Sequence, residues 1–356
     1  MINLDDANSI KKLDPSDMLG LVEGLPEQFE EGRKIVSNFD IYPACIGNIK
    51  PDKIVVTGLG GSAIGGDLLR TYLLGDLNIP VVVNRHYNLP AFVGKNTLLL
   101  AVSYSGNTEE TLSAYKDGKS KGAKIVGLTS GGKMNELCKA DGVSVLIIPG
   151  GLPPRASTGL QFSGIVGILE KLGLIKDRSG EFKEMVEVLK SIRSELNRQV
   201  PLDKNPAKKM AVQLQGKIPV IYASQDLTDV VALRWKDQFN ENSKSFGIFN
   251  VFPELNHNEI VGWEKPAEIL KNFVVIYIRD KGENPQVKKR FEITEGLIKD
   301  IAFSVEHVWS KGESFLARIF SAIYIGDFVS VYLALLNGVD PTPVKRIEEL
   351  KKQLVG

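Results

Sequence analysis

Two short segments of this 356-residue chain carry residue types suited to holding an anion. The first, Gly58-Leu59-Gly60-Gly61-Ser62-Ala63-Ile64-Gly65-Gly66, follows an apolar run of strand character. Backbone N–H groups at the start of a helix have no intrahelical acceptor and carry the positive end of its dipole. Glycine lets a ligand oxygen approach them, so a strand–glycine–helix junction is an anion site by default. The second segment, Ser103-Tyr104-Ser105-Gly106-Asn107-Thr108-Glu109-Glu110-Thr111, brings four Ser/Thr hydroxyls and a glycine to the point where a helix must begin. Asn107 is a natural N-cap with Glu110 three residues later, as in a capping box. Capping needs one oxygen, however, and Ser103 and Ser105 precede any cap. Hydroxyl donors beside free helix N–H groups, without a Walker-type lysine, suit a phosphate monoester better than a triphosphate.

The glycine segment also fits the dinucleotide fingerprint as Gly58-x-Gly60-x-x-Ala63. That fingerprint calls for an acid at the end of the second strand to hold the ribose. Val83-Asn84-Arg85-His86 stands there instead, and Arg85 leaves an NADP-type 2′-phosphate open as an alternative. In the second half, Glu241 closes a helical stretch, where the negative end of the dipole disfavours a carboxylate by roughly 0.3–1 kcal/mol and would raise its pKa toward that of a base. A solvated surface Glu is the ordinary alternative. His257 sits in the polar loop Leu255-Asn256-His257-Asn258-Glu259, and Arg155 follows Pro153-Pro154 on a stiff turn. His257-x-Glu259 is not a usual zinc spacing, and the three histidines (His86, His257, His307) are far apart, so no metal is expected.

The elements that must position these residues form an α/β pattern. Short apolar runs alternate with longer helical stretches, as in parallel sheets covered by helices. In the first half, strands are expected at 53–58, 79–84, 97–103, 124–129 and 143–148, with helices at 65–74, 108–121, 134–140 and 157–172. Phe182, Val186, Leu189, Ile192 and Leu196 form a 3.6-period stripe in a linking helix, broken by Pro201 and Pro206. The second half repeats the plan: strands at 218–223, 245–249, 273–278 and 303–307, and helices at 228–241, 287–295, 315–337 and 344–354. The implied division is 1–175, a linking segment at 176–210, and 211–356.

Composition bounds the rest. Lys and Arg total 44 against 43 Asp and Glu, a net charge of +1 that argues against nucleic acid as a general partner. Two cysteines, Cys45 and Cys138, are expected as free thiols in a reducing compartment. The N-terminus lacks the basic patch and apolar run of a signal peptide. Residues 319–336 tempt a membrane reading, but Asp327 within them would cost roughly 2.5–3.5 kcal/mol at mid-bilayer. A buried helix, and a cytoplasmic protein without a membrane partner, is the expectation.

Gly60-Gly61-Ser62 followed by Ser103-x-Ser105-Gly-Asn-Thr108-Glu-Glu-Thr resembles the sugar isomerase (SIS) fold, whose serine-rich loop binds the phosphate of a phosphosugar. Pro153-Pro154-Arg155, Asn240-Glu241-Asn242-Ser243-Lys244, the segment from Pro253 to Glu259, and Gly338-Val-Asp340-Pro341-Thr342-Pro343 are similar to the bifunctional phosphoglucose/phosphomannose isomerase family. The resemblance runs along nearly the whole chain. It implies two SIS domains, a metal-independent and cofactor-free homodimer, and glucose, mannose and fructose 6-phosphates as substrates.

By that resemblance Glu241 transfers the C1/C2 proton of an enediol, and Arg155 stabilises the enediolate. His257, an imidazole suited to passing protons, opens the sugar ring and reaches the site from the other subunit, which puts the active site at the dimer interface. Gly60, Gly61, Ser62, Ser103, Ser105 and Thr108 hold the phosphate. Thr342 leaves room for a water that helps accept both C2 epimers, and Lys351 of the tail helix lies near substrate. Otherwise Lys345-Arg346 and Lys351-Lys352 are a solvated basic face. A phosphosugar-binding regulatory protein without turnover is the remaining alternative.

Overall fold

The structure is a computed structural model that describes residues 2–41 and 50–355. Cys45 lies outside the described residues. The chain divides into two compact units, Gly24–Val186 and a second made of Met1–Glu23 with Glu187–Gly356. Helices α1 (Ala7–Leu13) and α2 (Met18–Glu23) open the chain and belong to the second unit. Asp6 caps α1 by accepting from the backbone N–H groups of Asn8 and Ser9.

The Gly24–Val186 unit runs α3 (Leu25–Ser37), β1 (Lys53–Thr57), α4 (Gly61–Leu73), β2 (Val81–Asn84), β3 (Thr97–Ser103), α5 (Glu109–Ser120), β4 (Lys124–Thr129), α6 (Gly132–Ala140), β5 (Val145–Ile147) and α7 (Thr158–Lys171). Its five strands are all parallel, in the order β2-β1-β3-β4-β5. Every residue of β3 is buried, which is why that strand reads as one apolar run. Helix α4 begins four residues before its expected start. Gly65 and Gly66 are helix interior, small because a Cβ there would meet Ile165 Cδ1 at 2.9 Å and Val56 Cβ at 3.0 Å.

The chain crosses between units along α8 (Ser179–Leu196), whose apolar stripe is buried at all five positions. The second unit continues with α9 (Pro206–Leu214), β6 (Ile218–Ser224), α10 (Asp229–Glu241), β7 (Ile248–Phe252), α11 (Glu259–Gly262), α12 (Ala267–Leu270), β8 (Phe273–Arg279), α13 (Pro285–Ile298), β9 (Ser304–Trp309), α14 (Phe315–Leu336) and α15 (Lys345–Val355). Its four parallel strands are ordered β7-β6-β8-β9, repeating the first four positions of the other sheet. The expected strand at 245–249 is displaced to Ile248–Phe252. Phe246 is exposed, and Gly247 N–H is held by Asn240 Oδ1 at 3.2 Å in the turn leaving α10.

Helix α14 is long and apolar enough to span a bilayer but is buried within the unit along nearly its whole length, as a core helix. Its one charge between residues 319 and 336, Asp327, is buried with its partners: Arg234 Nη2 donates at 2.7 Å and Gln238 Nε2 at 2.9 Å. Cys138, packed under β4 beside Tyr115, is a free thiol whose pKa burial pushes up to about 11.

Candidate active site

In the Gly24–Val186 unit, strand order reverses between β1 and β3, and ligands of open α/β sheets bind at the carboxyl ends of such a pair. β1 leads into Gly60-Gly61-Ser62 and β3 into the serine loop. Helices α4 and α5 therefore start side by side, with Gly60 and Thr108 as their N-cap residues and no side-chain capping bond at either. Thr108, rather than the expected Asn107, is the cap position of α5. Asn107 instead braces the loop: its Nδ2 donates to Ser105 O at 3.2 Å and its Oδ1 accepts from Lys133 N–H at 3.2 Å.

The two loops are tied together. Tyr104 N–H donates to Ser62 Oγ at 3.2 Å, and Ser103 Oγ donates to Thr108 Oγ1 at 3.1 Å. Ser103 is buried, whereas Ser105 is exposed and Thr108 half-buried, so the latter two hydroxyls stand at the mouth. Gly106 has φ +70°, and a Cβ there would come within 1.8 Å of Gly131 O. Only glycine fits that crossing.

Arg155, buried in a short 3₁₀ turn (Pro154–Ala156), belongs to the same cluster. A Cβ on Gly61 would lie 2.7 Å from Pro154 O and 3.0 Å from Arg155 N, so the first turn of α4 packs directly on the backbone that carries Arg155. Tyr104 positions that segment from the other side. Its hydroxyl donates to Pro149 O at 2.9 Å and accepts from Leu152 N–H at 3.0 Å, and burial raises its pKa. Tyr104 and the Ser130-Gly131-Gly132 turn are supports that sequence reasoning missed. Ser130 Oγ donates to Tyr104 O at 2.7 Å and Met134 N–H to Gly106 O at 2.9 Å. The adjacency of Gly131-Gly132 to a helix start was the available signal.

In the second unit, Glu241 is the last residue of α10 and borders a cavity of about 530 Å³. Asn240, Glu241 and Lys244 form one wall; Val339, Asp340 and residues 343–347 form the other. Thr342 lies in that second segment, its N–H donating to Asp340 Oδ1 at 2.8 Å. The expected clash between Glu241 and the helix dipole is offset, because Lys244 Nζ donates to the carbonyls of Glu241 at 2.8 Å and Asn242 at 3.3 Å.

His257 is not brought to Glu241. It is exposed at the end of a 3₁₀ turn (Glu254–His257) that follows the carboxyl end of β7, whereas α10 returns Glu241 to the amino end of the same sheet. Five strand residues separate those edges, roughly 16 Å at the rise of a β-strand. The His257 loop is fixed by Glu259, whose carboxylate accepts from Tyr222 OH and from Asn250 Nδ2. Lys351 is exposed on α15. Among the described residues no three His, Cys, Asp or Glu side chains converge as metal ligands.

A family model described as SIS domain matches residues 49–150, and one described as bacterial phospho-glucose isomerase C-terminal SIS domain matches residues 203–354. The bifunctional phosphoglucose/phosphomannose isomerase of Caldicellulosiruptor bescii is 48% identical over 95% of this chain and 98% of its own. The chain belongs to that family. The protein of the same description from Aquifex aeolicus is 38% identical over 94% of this chain and 97% of its own. Among solved structures, a glucose-6-phosphate isomerase-like protein from Thermus thermophilus matches with a TM-score of 0.63 at 20% identity, covering 96% of this chain and 98% of its own. That last likeness speaks to the fold alone. The family's two SIS domains correspond to the two parallel sheets, and the chain is an isomerase.

Proposed function

We propose that the enzyme interconverts glucose 6-phosphate and mannose 6-phosphate with fructose 6-phosphate through a cis-enediol, without metal or cofactor. The observation that carries this reading is the pair of helix starts at β1 and β3, without side-chain caps, edged by Ser105 and Thr108 and packed against Arg155. Such an array of N–H and hydroxyl donors holds a dianionic phosphate, and Arg155, carried on the backbone that packs against it, answers charge developing on the sugar. Gly60, Gly61, Ser62 and Ser103 shape the cradle.

Glu241 is the base that carries the proton between C1 and C2, Thr342 leaves space for both epimers, and His257 opens the ring. The separation of His257 from Glu241 within one sheet supports a homodimer in which His257 serves the partner's site. Lys351 is the tail residue assigned to substrate. A doubly charged phosphosugar does not cross a bilayer unaided, so the reading places the enzyme in the cytoplasm, in glycolysis and gluconeogenesis.

The dinucleotide alternative is weakened because Arg85, the residue left to answer a 2′-phosphate, is paired with Asp67. The test is fructose 6-phosphate formation from each aldose phosphate in the presence of chelator. Binding of both without product would favour the regulatory alternative.

A further inference from the structure

Lys244 is held in a left-handed backbone conformation, φ +52°, that side chains other than Gly and Asn rarely adopt. Glycine would suit the turn better, so the side chain has work that the turn does not require. Its ammonium spans two segments nearly a hundred residues apart. It donates to Glu241 O at 2.8 Å and Asn242 O at 3.3 Å on one wall of the 530 Å³ cavity, and to Pro341 O at 2.9 Å on the other. All three of these acceptors are backbone carbonyls. The neighbouring residues fix the Glu241 side of this clamp to α14: Asn242 Nδ2 donates to Ser330 Oγ at 2.9 Å and Ser243 Oγ to Ser330 O at 2.6 Å. The segment that leads to Thr342 is thus held against a rigid wall by Lys244 at Pro341, one residue before the threonine.

We infer that Lys244 is a positioning residue that sets the distance between Glu241 and Thr342, and so governs both the proton transfer and the tolerance for two C2 epimers. The inference rests on Glu241 being the base. Its action is through backbone carbonyls rather than contact with substrate, so its loss moves the base and the tail apart without emptying the phosphate loop. A misplacement of an ångström or so between base and reacting carbon is enough to cost rate.

Lys244→Met keeps the aliphatic stem and removes the three bonds. The expected result is a kcat lower by tenfold or more on both aldose phosphates, with KM within about threefold of the parent. The mannose 6-phosphate rate falls further than the glucose 6-phosphate rate. Lys244→Arg recovers a substantial part of the rate. Lys244→Gly, which relieves the backbone and so guards against misfolding, stays slow but is accelerated saturably by added ethylammonium. Full activity in Lys244→Gly, or a slow Lys244→Met that neither Arg nor amine improves, overturns the inference. Glu241→Gln is assayed alongside: a fully active Glu241→Gln removes the reading of the base, whereas an inactive one beside a normal Lys244→Met removes only the role of Lys244.

Discussion

The two sheets share the strand order 2-1-3-4, yet their switch points have opposite contents. At the carboxyl ends of β1 and β3, glycines and hydroxyls gather at two helix starts that have no side-chain caps. At the corresponding ends of β6 and β8 the crevice is filled by the protein's own charges. Arg279 donates through Nε and Nη2 to the Glu283 carboxylate at 2.8 and 2.7 Å, and its guanidinium lies 4.3 Å from the Phe291 ring centroid. Asp280 accepts from Arg318 Nε at 2.9 Å and Ser310 Oγ at 2.6 Å. Thr228 turns inward, accepting from Ser224 N–H at 3.0 Å and donating to Ile278 O at 3.3 Å. One copy of the topology leaves two helix starts without side-chain caps; the other fills the crevice with ion pairs and places Glu241 at the opposite edge. Duplicated folds diverge in this way because the loops carry function while the strands carry the core.

The largest expected effect separates proton transfer from binding across the two units. Glu241→Gln keeps shape and removes the proposed base, so turnover should fall by on the order of 10²–10⁴. Binding of a substrate analogue should persist, since the proposed phosphate loop is in the other unit. Exchange of the C2 hydrogen with solvent vanishes in step. Exchange that survives the substitution would assign the base elsewhere.

A second experiment tests the closed switch point. Glu283→Ala leaves Arg279, only 3% exposed, without its carboxylate. Breaking one partner of a buried pair costs about 3–5 kcal/mol. Denaturant unfolding should register that loss while KM for the phosphosugars stays unchanged in the folded fraction. A raised KM would show that the second switch point also serves substrate.

Both sheets were legible as parallel because buried strands give uninterrupted apolar runs; β3 and β4 have the expected ends, residue for residue. Where local sequence misleads, a distant partner is responsible. Gly65 and Gly66 look like loop, but their missing side chains make room for Ile165 and Val56. Helices α1 to α3 carry weak local signals; Asp6 caps α1 and Asp14 binds the first N–H groups of α2. The serine loop was legible as a helix start edged by hydroxyls. Its braces, Tyr104 to residues 149–152 and Ser130 to Tyr104, were not, because each joins residues 26 or more apart in sequence.

At the open switch point, Ser105→Ala and Thr108→Ala each remove a donor to a charged group, a contact of roughly 1.5–3 kcal/mol. KM should rise by about ten- to a hundredfold. A smaller fall in kcat is also expected, because remote binding energy helps to place the reacting carbons. Ser103→Ala is the useful contrast. Ser103 is buried and bonded to Thr108 Oγ1, so its removal should act through Thr108 and give a smaller rise in KM. Unchanged kinetics in both outward variants would place the phosphate elsewhere.

The smallest expected effect concerns the tail of the second unit. Glucose and mannose 6-phosphates differ only at C2, and both give the same enediol once the C2 proton leaves. One base can serve both if the C1–C2 bond turns to present either hydrogen to Glu241. That rotation needs room and a polar partner for the displaced hydroxyl. Thr342 is half-buried, between Asp340 and Pro343 of the segment that lines the cavity Glu241 borders, in a backbone fixed by Asp340 and by Lys244 at Pro341. A small residue there leaves space for an ordered water. Thr342→Gln fills the space, so activity on mannose 6-phosphate should fall by at least tenfold, about 1.4 kcal/mol. Activity on glucose 6-phosphate should fall much less. The check is the ratio of kcat/KM for the two substrates in one preparation, which cancels any difference in folded fraction. An unchanged ratio would reduce Thr342 to a packing residue and shift epimer tolerance to the other wall of the cavity, where Asn240 and Lys244 stand.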